Sequence, residues 1–199
     1  MLVPWTGVLN YSCQYAAGTS DATSATTALT KGLYDHGHYN GGYTAYTDGG
    51  KDGNGNVIKL KDGYEAFHLQ GFIGANLNGQ CDDFADFLVC MSNSIGAVAL
   101  QAQRSVSVAE LSAGSKFTTK NITWSSVQST TATGTPVTWV YHQWTTSNVY
   151  DGCLRLSGTT SPINMALTDY FSALVATTSH SSQSLDWDPQ SGFVPDPQN

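Results

Sequence analysis

The stretch Gly79-Gln80-Cys81-Asp82-Asp83-Phe84-Ala85-Asp86-Phe87-Leu88-Val89-Cys90-Met91 constrains this chain more than any other, because it sets a thiol where a loop runs into a helix. Phe84, Phe87, Leu88, Met91 and Ile95 recur at helical spacing and fall on one stripe, so residues from about Cys81 to Ile95 read as a core helix. Asp82, Asp83 and Asp86 lie off that stripe. Asn78 is the candidate N-cap and Gly96 the candidate stop, which leaves Cys81 in the first turn. Backbone N–H groups and the helix macrodipole favour a thiolate there. The neighbouring Asp82 and Asp83 disfavour one, so a second group must supply positive charge. Cys90, on the Phe87 and Met91 side, reads as a small packing residue of the core.

The second group is found between Trp139 and Leu156, where two β-rich runs flank the polar Thr145-Thr146-Ser147-Asn148. A hairpin turn centred between Thr146 and Ser147 sets His142 directly opposite Asp151. Directly opposed side chains on one face are within reach of an imidazole-to-carboxylate hydrogen bond. Such a carboxylate fixes the tautomer and orientation of the ring and stabilises imidazolium, while the other ring nitrogen can take a thiol proton. An ordinary polar cross-strand pair is the structural alternative.

Gly79-Gln80-Cys81-x-x-Phe84-Ala85, then His142 on one strand and Val149-Tyr150-Asp151 on the next, resembles the transglutaminase-like superfamily, whose members have a papain-like core. The resemblance runs from Asn78 to Leu156. It implies Cys81 as nucleophile, His142 as general base and Asp151 as the group that orients His142. It also implies a papain-like, transglutaminase-like α+β fold in which N-terminal helices, including a core helix starting at the nucleophile, pack on an antiparallel β-sheet. The expected chemistry is thiol acyl transfer at peptide or amide bonds of a peptide or protein substrate. Hydrolysis by a cysteine peptidase or amidohydrolase is the first reading. A protein-glutamine transglutaminase and a catalytically inactive binding or scaffold module with the same fold are the alternatives. No cofactor is implied. The Cys81 backbone N–H is an expected oxyanion donor, with the Gln80 side chain a weaker candidate. Trp144 and Tyr150 border the dyad, as cleft lining or as packing.

A length of 199 residues suits a single domain spanning 1–199. Only 12% of the residues are charged and the balance is −7, a composition more usual in exported bacterial or extracellular proteins than in cytosolic ones. The acidic balance, without a Lys/Arg cluster, opposes nucleic-acid binding. No apolar run has the length of a membrane span, and Met1-Leu2-Val3-Pro4-Trp5 lacks the basic start of a signal peptide. The four cysteines lack a CxxC spacing, so no metal is expected, and one disulfide among Cys13, Cys90 and Cys153 is compatible with export.

Flanking elements follow from pattern. Val8 to Gly18 reads as a short helix with Leu9, Cys13 and Ala16 inward. Asp21 to Tyr34 reads as a second, capped by Thr19 or Ser20, with Ala22, Ala25, Leu29 and Leu33 as its stripe. His36 and His38 fall in a surface loop opening a Gly-rich region. Asp52-Gly53-Asn54-Gly55-Asn56 fails as a calcium loop, because Val57 and Gly63 stand where Gly and Glu are required. Strands are expected within Ala97–Val108, Lys116–Val127 and Pro136–His142, and a late helix over Asn164–Thr177. Residues 181–199, rich in Ser, Pro and Asp, read as an extended, poorly ordered tail.

Overall fold

The computed structural model describes residues 5–40, 67, 69–98, 100–107, 117–125, 138–139, 141–146, 148–157, 160–178 and 185–190. Within them helix and sheet are mixed in an α+β arrangement, with helices concentrated in the first half of the chain and antiparallel strands in the second. In order it runs through α1 (Trp5–Tyr15), α2 (Ala22–His36), β1 (His38–Tyr39), α3 (Leu69–Gly74), β2 (Asn78–Gly79), α4 (Cys81–Ser94) and β3 (Gln101–Ser107). There follow β4 (Phe117–Thr119), β5 (Ile122–Trp124), β6 (Thr138–Trp139), β7 (Tyr141–Thr146), β8 (Val149–Tyr150) and β9 (Leu154–Leu156). The last elements are β10 (Ile163–Met165), α5 (Leu167–Leu174), β11 (Val175–Thr178) and β12 (Leu185–Gln190).

Among the described residues the largest sheet has five strands in the order β10-β8-β7-β3-β12, every neighbouring pair antiparallel. A smaller sheet orders β11-β4-β6, and β5 pairs with β9. The brief parallel pair β1-β2 sets Tyr39 beside Gly79, immediately before α4. No helix among the described residues is long and apolar enough to cross a membrane.

Among the described elements helix α4 is central, lying against β7 and β3 and against α1 and α2. The expected stripe of Phe84, Phe87, Leu88 and Met91 is buried, but so is every other residue from Cys81 to Ser92, including Asp82, Asp83 and Asp86. The helix is therefore embedded all round rather than amphipathic. Phe72 of α3 stacks edge-on against both Phe84 (5.8 Å between ring centroids) and Phe87 (5.4 Å), and Tyr11 of α1 meets Phe87 from another direction (5.6 Å).

Hydroxyls fasten the far end of α4 where methyl groups would leave carbonyls unpaired. Ser12 Oγ donates to Met91 O, and Ser92 Oγ donates to Val98 O (2.6 Å). Thr26 Oγ1 accepts from the Val98 N–H and shares a hydrogen bond with Ser92 Oγ. This explains the threonines of α2, which lower helix propensity: Thr26 and Thr30 face inward and also return hydrogen bonds to the carbonyls of Ala22 and Thr26. The α2 cap is Asp21, one residue after Ser20 and two after Thr19, the expected caps, and its carboxylate accepts the Ser24 N–H (2.9 Å).

Three expectations are corrected. In α1 the buried positions are Val8 and Ser12, whereas Leu9 and Cys13 are exposed, because Ser12 can satisfy its hydroxyl on Val8 O and Met91 O and so occupies the inner face. The late helix is only Leu167–Leu174, with strands β10 and β11 taking its expected ends. The 181–199 segment is not a free tail throughout: Leu185–Gln190 forms β12, paired with β3 over its whole length. Pro189 is compatible with this because β12 is an edge strand, where a missing N–H can face away from the ladder. All four cysteines are unpaired by disulfides. The Gly-rich segment with the rejected calcium loop lies outside the described residues.

Leu88→Ala, at a fully buried position of α4, is expected to cost about 2–5 kcal/mol. Equilibrium urea unfolding measures it, and a loss below about 1 kcal/mol would contradict the central position of the helix.

Candidate active site

Cys81 is the first residue of α4, preceded by Gln80 as N-cap. The Asp83 carboxylate turns back to accept the Gln80 N–H (2.8 Å), which closes the helix entrance and aligns the first turn. Gly79 is required at this bend, because a β-carbon there would collide with the Asp83 carboxylate and crowd the Phe72 ring. Gly79 of the Gly-Gln-Cys run thus has a steric cause that is independent of chemistry.

His142 comes from β7 and Asp151 from the residue following β8. His142 Nε2 and Asp151 Oδ2 are 2.7 Å apart, with His142 fully buried and Asp151 only 4% exposed. Two further donors converge on the carboxylate. Tyr170 of α5 donates its O–H to Oδ2 (2.6 Å), and the Cys153 N–H donates to Oδ1 (2.9 Å). The Asp151 N–H itself donates to Pro162 O (2.9 Å), fixing the backbone at that point. Next to His142 in sequence, Gln143 donates from Nε2 to Asp86 Oδ1 of α4 (2.9 Å) and so ties β7 to the helix that begins at Cys81.

The electrostatics of this cluster are coherent. Burial opposes ionisation of Asp151, but the adjacent His142 imidazole and the hydrogen bonds from His142, Tyr170 and Cys153 together hold its carboxyl below the ordinary range. Burial, reinforced by the Asp151 charge, pushes the Tyr170 hydroxyl and the Cys153 thiol well up, so both remain protonated at neutral pH. Charge on Cys81 is felt at both Cys153 and Tyr170, which puts Cys81 within electrostatic reach of the His142–Asp151 pair. Cys81 is 6% exposed.

The register differs from the expected one. β7 and β8 pair Thr145 with Tyr150, and the same register continued would set Cys153, not Asp151, opposite His142. The error is of two residues, and a two-residue shift preserves the face on which a side chain stands. Asp151 therefore still reaches His142, while Cys153 lies beside the same ring, its Sγ 4.0 Å from Nε2.

Tyr170 and Cys153 are the residues that sequence reasoning did not include. The signal for Tyr170 was available: an inward tyrosine on a helix must find a partner for its hydroxyl. Cys153 followed from the register alone. Trp144 and Tyr150 are buried; Trp144 packs on Tyr170 and edge-on against Phe171 (5.3 Å), so it is part of the wall that holds α5. Cys90 is a buried core thiol, its pKa pushed well up by burial and by the Asp86 charge. His36 stacks flat on Tyr15, and His38 lies 3.5 Å from Asn76 Nδ2. No protein-family model matches the chain, and no curated protein is significantly similar to it.

The depressed Asp151 pKa contributes stability that is present above the unfolded carboxyl value, about 3.9, and is lost as pH falls through the lower folded value. Tyr170→Phe removes one of the interactions that depress it. The variant is expected to lose about 1–3 kcal/mol at pH 7 and progressively less in acid. Urea unfolding of both proteins across pH 3 to 7 checks this, and a pH-independent difference would show that Tyr170 acts by packing alone.

Proposed function

We propose that the chain is a thiol acyl-transfer enzyme of transglutaminase-like, papain-like type that hydrolyses peptide or amide bonds. The observation that carries this reading is the buried 2.7 Å contact between His142 Nε2 and Asp151 Oδ2. With Nε2–H donated to Asp151, the lone pair of His142 lies on Nδ1, and Nδ1 is the nitrogen that takes the Cys81 proton as sulfur attacks the carbonyl carbon. The proton then passes to the leaving amine as the thioester forms. Water attacks the thioester, giving its proton back through His142 and releasing the acid and the Cys81 thiol. The first-turn N–H of Cys81 points out of the helix end, where charge develops on the carbonyl oxygen. Asp151, ionised and held by three donors, keeps the ring in the required tautomer.

A binding or scaffold module with the same fold is the second reading, favoured by the burial of Cys81, His142 and Asp151. The two readings are separated by alkylation with iodoacetamide at neutral pH, followed peptide by peptide in a mass spectrometer. Cys13 is exposed and Cys81 is buried, so accessibility alone favours Cys13. An enzyme is expected to modify Cys81 faster than Cys13 and to lose that preference in His142→Ala. Reaction at Cys13 with Cys81 untouched would favour the module.

Cys81→Ala is expected to abolish turnover of a peptide library while leaving the fold intact. Asp151→Asn is expected to retain a hydrogen bond but favour the wrong tautomer, lowering the rate by about 10⁴-fold. With excess primary amine present, the product is expected to be the free acid. Predominant amine incorporation would turn the assignment to a transglutaminase.

A further inference from the structure

A ring nitrogen of His142, a carboxylate oxygen of Asp151 and Cys153 Sγ lie within 4.8 Å of one another, all on buried residues. They present one imidazole nitrogen, one carboxylate oxygen and one sulfur, the donor types that zinc accepts. Tetrahedral zinc, with bonds of about 2.0 Å to N and O and about 2.3 Å to S, needs its donors about 3.3–3.6 Å apart. The Sγ to Nε2 distance of 4.0 Å is slightly above that range and the Nε2 to Oδ2 distance of 2.7 Å is below it. Bringing all three onto one ion parts Nε2 from the carboxylate oxygen by about half an ångström and draws the sulfur, which lies within 4.8 Å of both, inward by up to about an ångström. The outer support also exists: Tyr170 O–H and the Cys153 N–H already hold the carboxylate in place.

We infer that His142, Asp151 and Cys153 form a zinc-binding site whose occupation is incompatible with the acyl-transfer arrangement. Binding exchanges the Cys153 S–H proton for the metal and releases that proton to solvent, with Asp151 already ionised. At His142 the metal takes the Nε2 lone pair, so the ring's single proton must reside on Nδ1. Nδ1 then has no lone pair with which to accept the Cys81 proton. The ion thus switches off the base by reversing its tautomer, without touching the nucleophile. This consequence for catalysis rests on the proposed function, but the binding site does not.

The test is a cobalt(II) titration of the purified, reduced chain, reading thiolate-to-cobalt charge-transfer absorption, with zinc as the displacing ion. One equivalent is expected to bind with a one-thiolate signature in the unmodified chain, in Cys81→Ala and in Cys13→Ser. Cys153→Ser is expected to lose the charge-transfer band, and Tyr170→Phe to bind roughly 10- to 100-fold more weakly. Absence of binding, a band that persists in Cys153→Ser, or a band lost in Cys81→Ala overturns the site. Where circular dichroism shows Cys153→Ser unfolded, zinc X-ray absorption of the unmodified chain decides: one sulfur with nitrogen and oxygen neighbours supports the site, and no sulfur or several overturns it. Zinc binding by a chain whose Cys81 never reacts would retire the acyl-transfer reading and keep the metal site.

Discussion

Burial of α4 on every side is the constraint to which the rest of the structure answers. A helix enclosed all round must bury whatever it carries, and this one carries Asp82, Asp83 and Asp86 among its aromatic residues. Uncompensated carboxylates in such a position are costly, so each must be met by a polar group supplied from elsewhere. Asp83 is turned onto the Gln80 N–H, and Asp86 is met by the Gln143 side chain. Both solutions are also positioning devices. The first shapes the turn from which Cys81 projects, and the second locks the strand residue next to His142 onto the same helix. Polar satisfaction of the core and alignment of the candidate site are one set of contacts.

Asp151 repeats the same logic on the sheet side. Its carboxylate draws donors from three separate places in the chain, His142 on β7, the Cys153 backbone and Tyr170 on α5. A lone buried carboxylate would rise in pKa and become neutral, whereas one with this many donors remains ionised. The cost is rigidity. The residues around it cannot drift without leaving a buried charge short of a partner, and this is why a short helix such as α5 is tied closely to the sheet.

What could be read from the sequence was periodicity and parity. The hydrophobic spacing of Phe84, Phe87, Leu88 and Met91 located α4 and its first residue, since a helical stripe needs no knowledge of its partners. The proximity of His142 and Asp151 emerged although the assumed turn was misplaced, because alternation in a strand repeats every two residues and the error was of that size. Non-local packing was illegible. The polar side of α4 reads as solvent-facing when only one helix is considered, and the sheet and α1 and α2 that cover it come from other parts of the chain. Leu9 and Cys13 look inward by hydrophobicity, yet Ser12 takes the inner face because a carbonyl of α4 waits for its hydroxyl. Likewise the composition of residues 181–199 indicates disorder, and only an open edge on β3 makes Leu185–Gln190 a strand.

That last pairing has a consequence for assembly. β3 follows α4 directly, yet its two neighbours arrive much later, β7 after two further sheets have begun and β12 after everything else described. A central strand that waits on both sides gives the fold a high contact order, and chains of that kind must close large loops before their ladders repay the entropy. On a ribosome, β3 emerges with both edges bare, gains its first partner only at Tyr141–Thr146, and keeps the other edge open until Leu185–Gln190 follows. Until β7 and β12 are available, its unpaired backbone groups can recruit other nascent chains, so aggregation should compete most strongly during synthesis rather than after it.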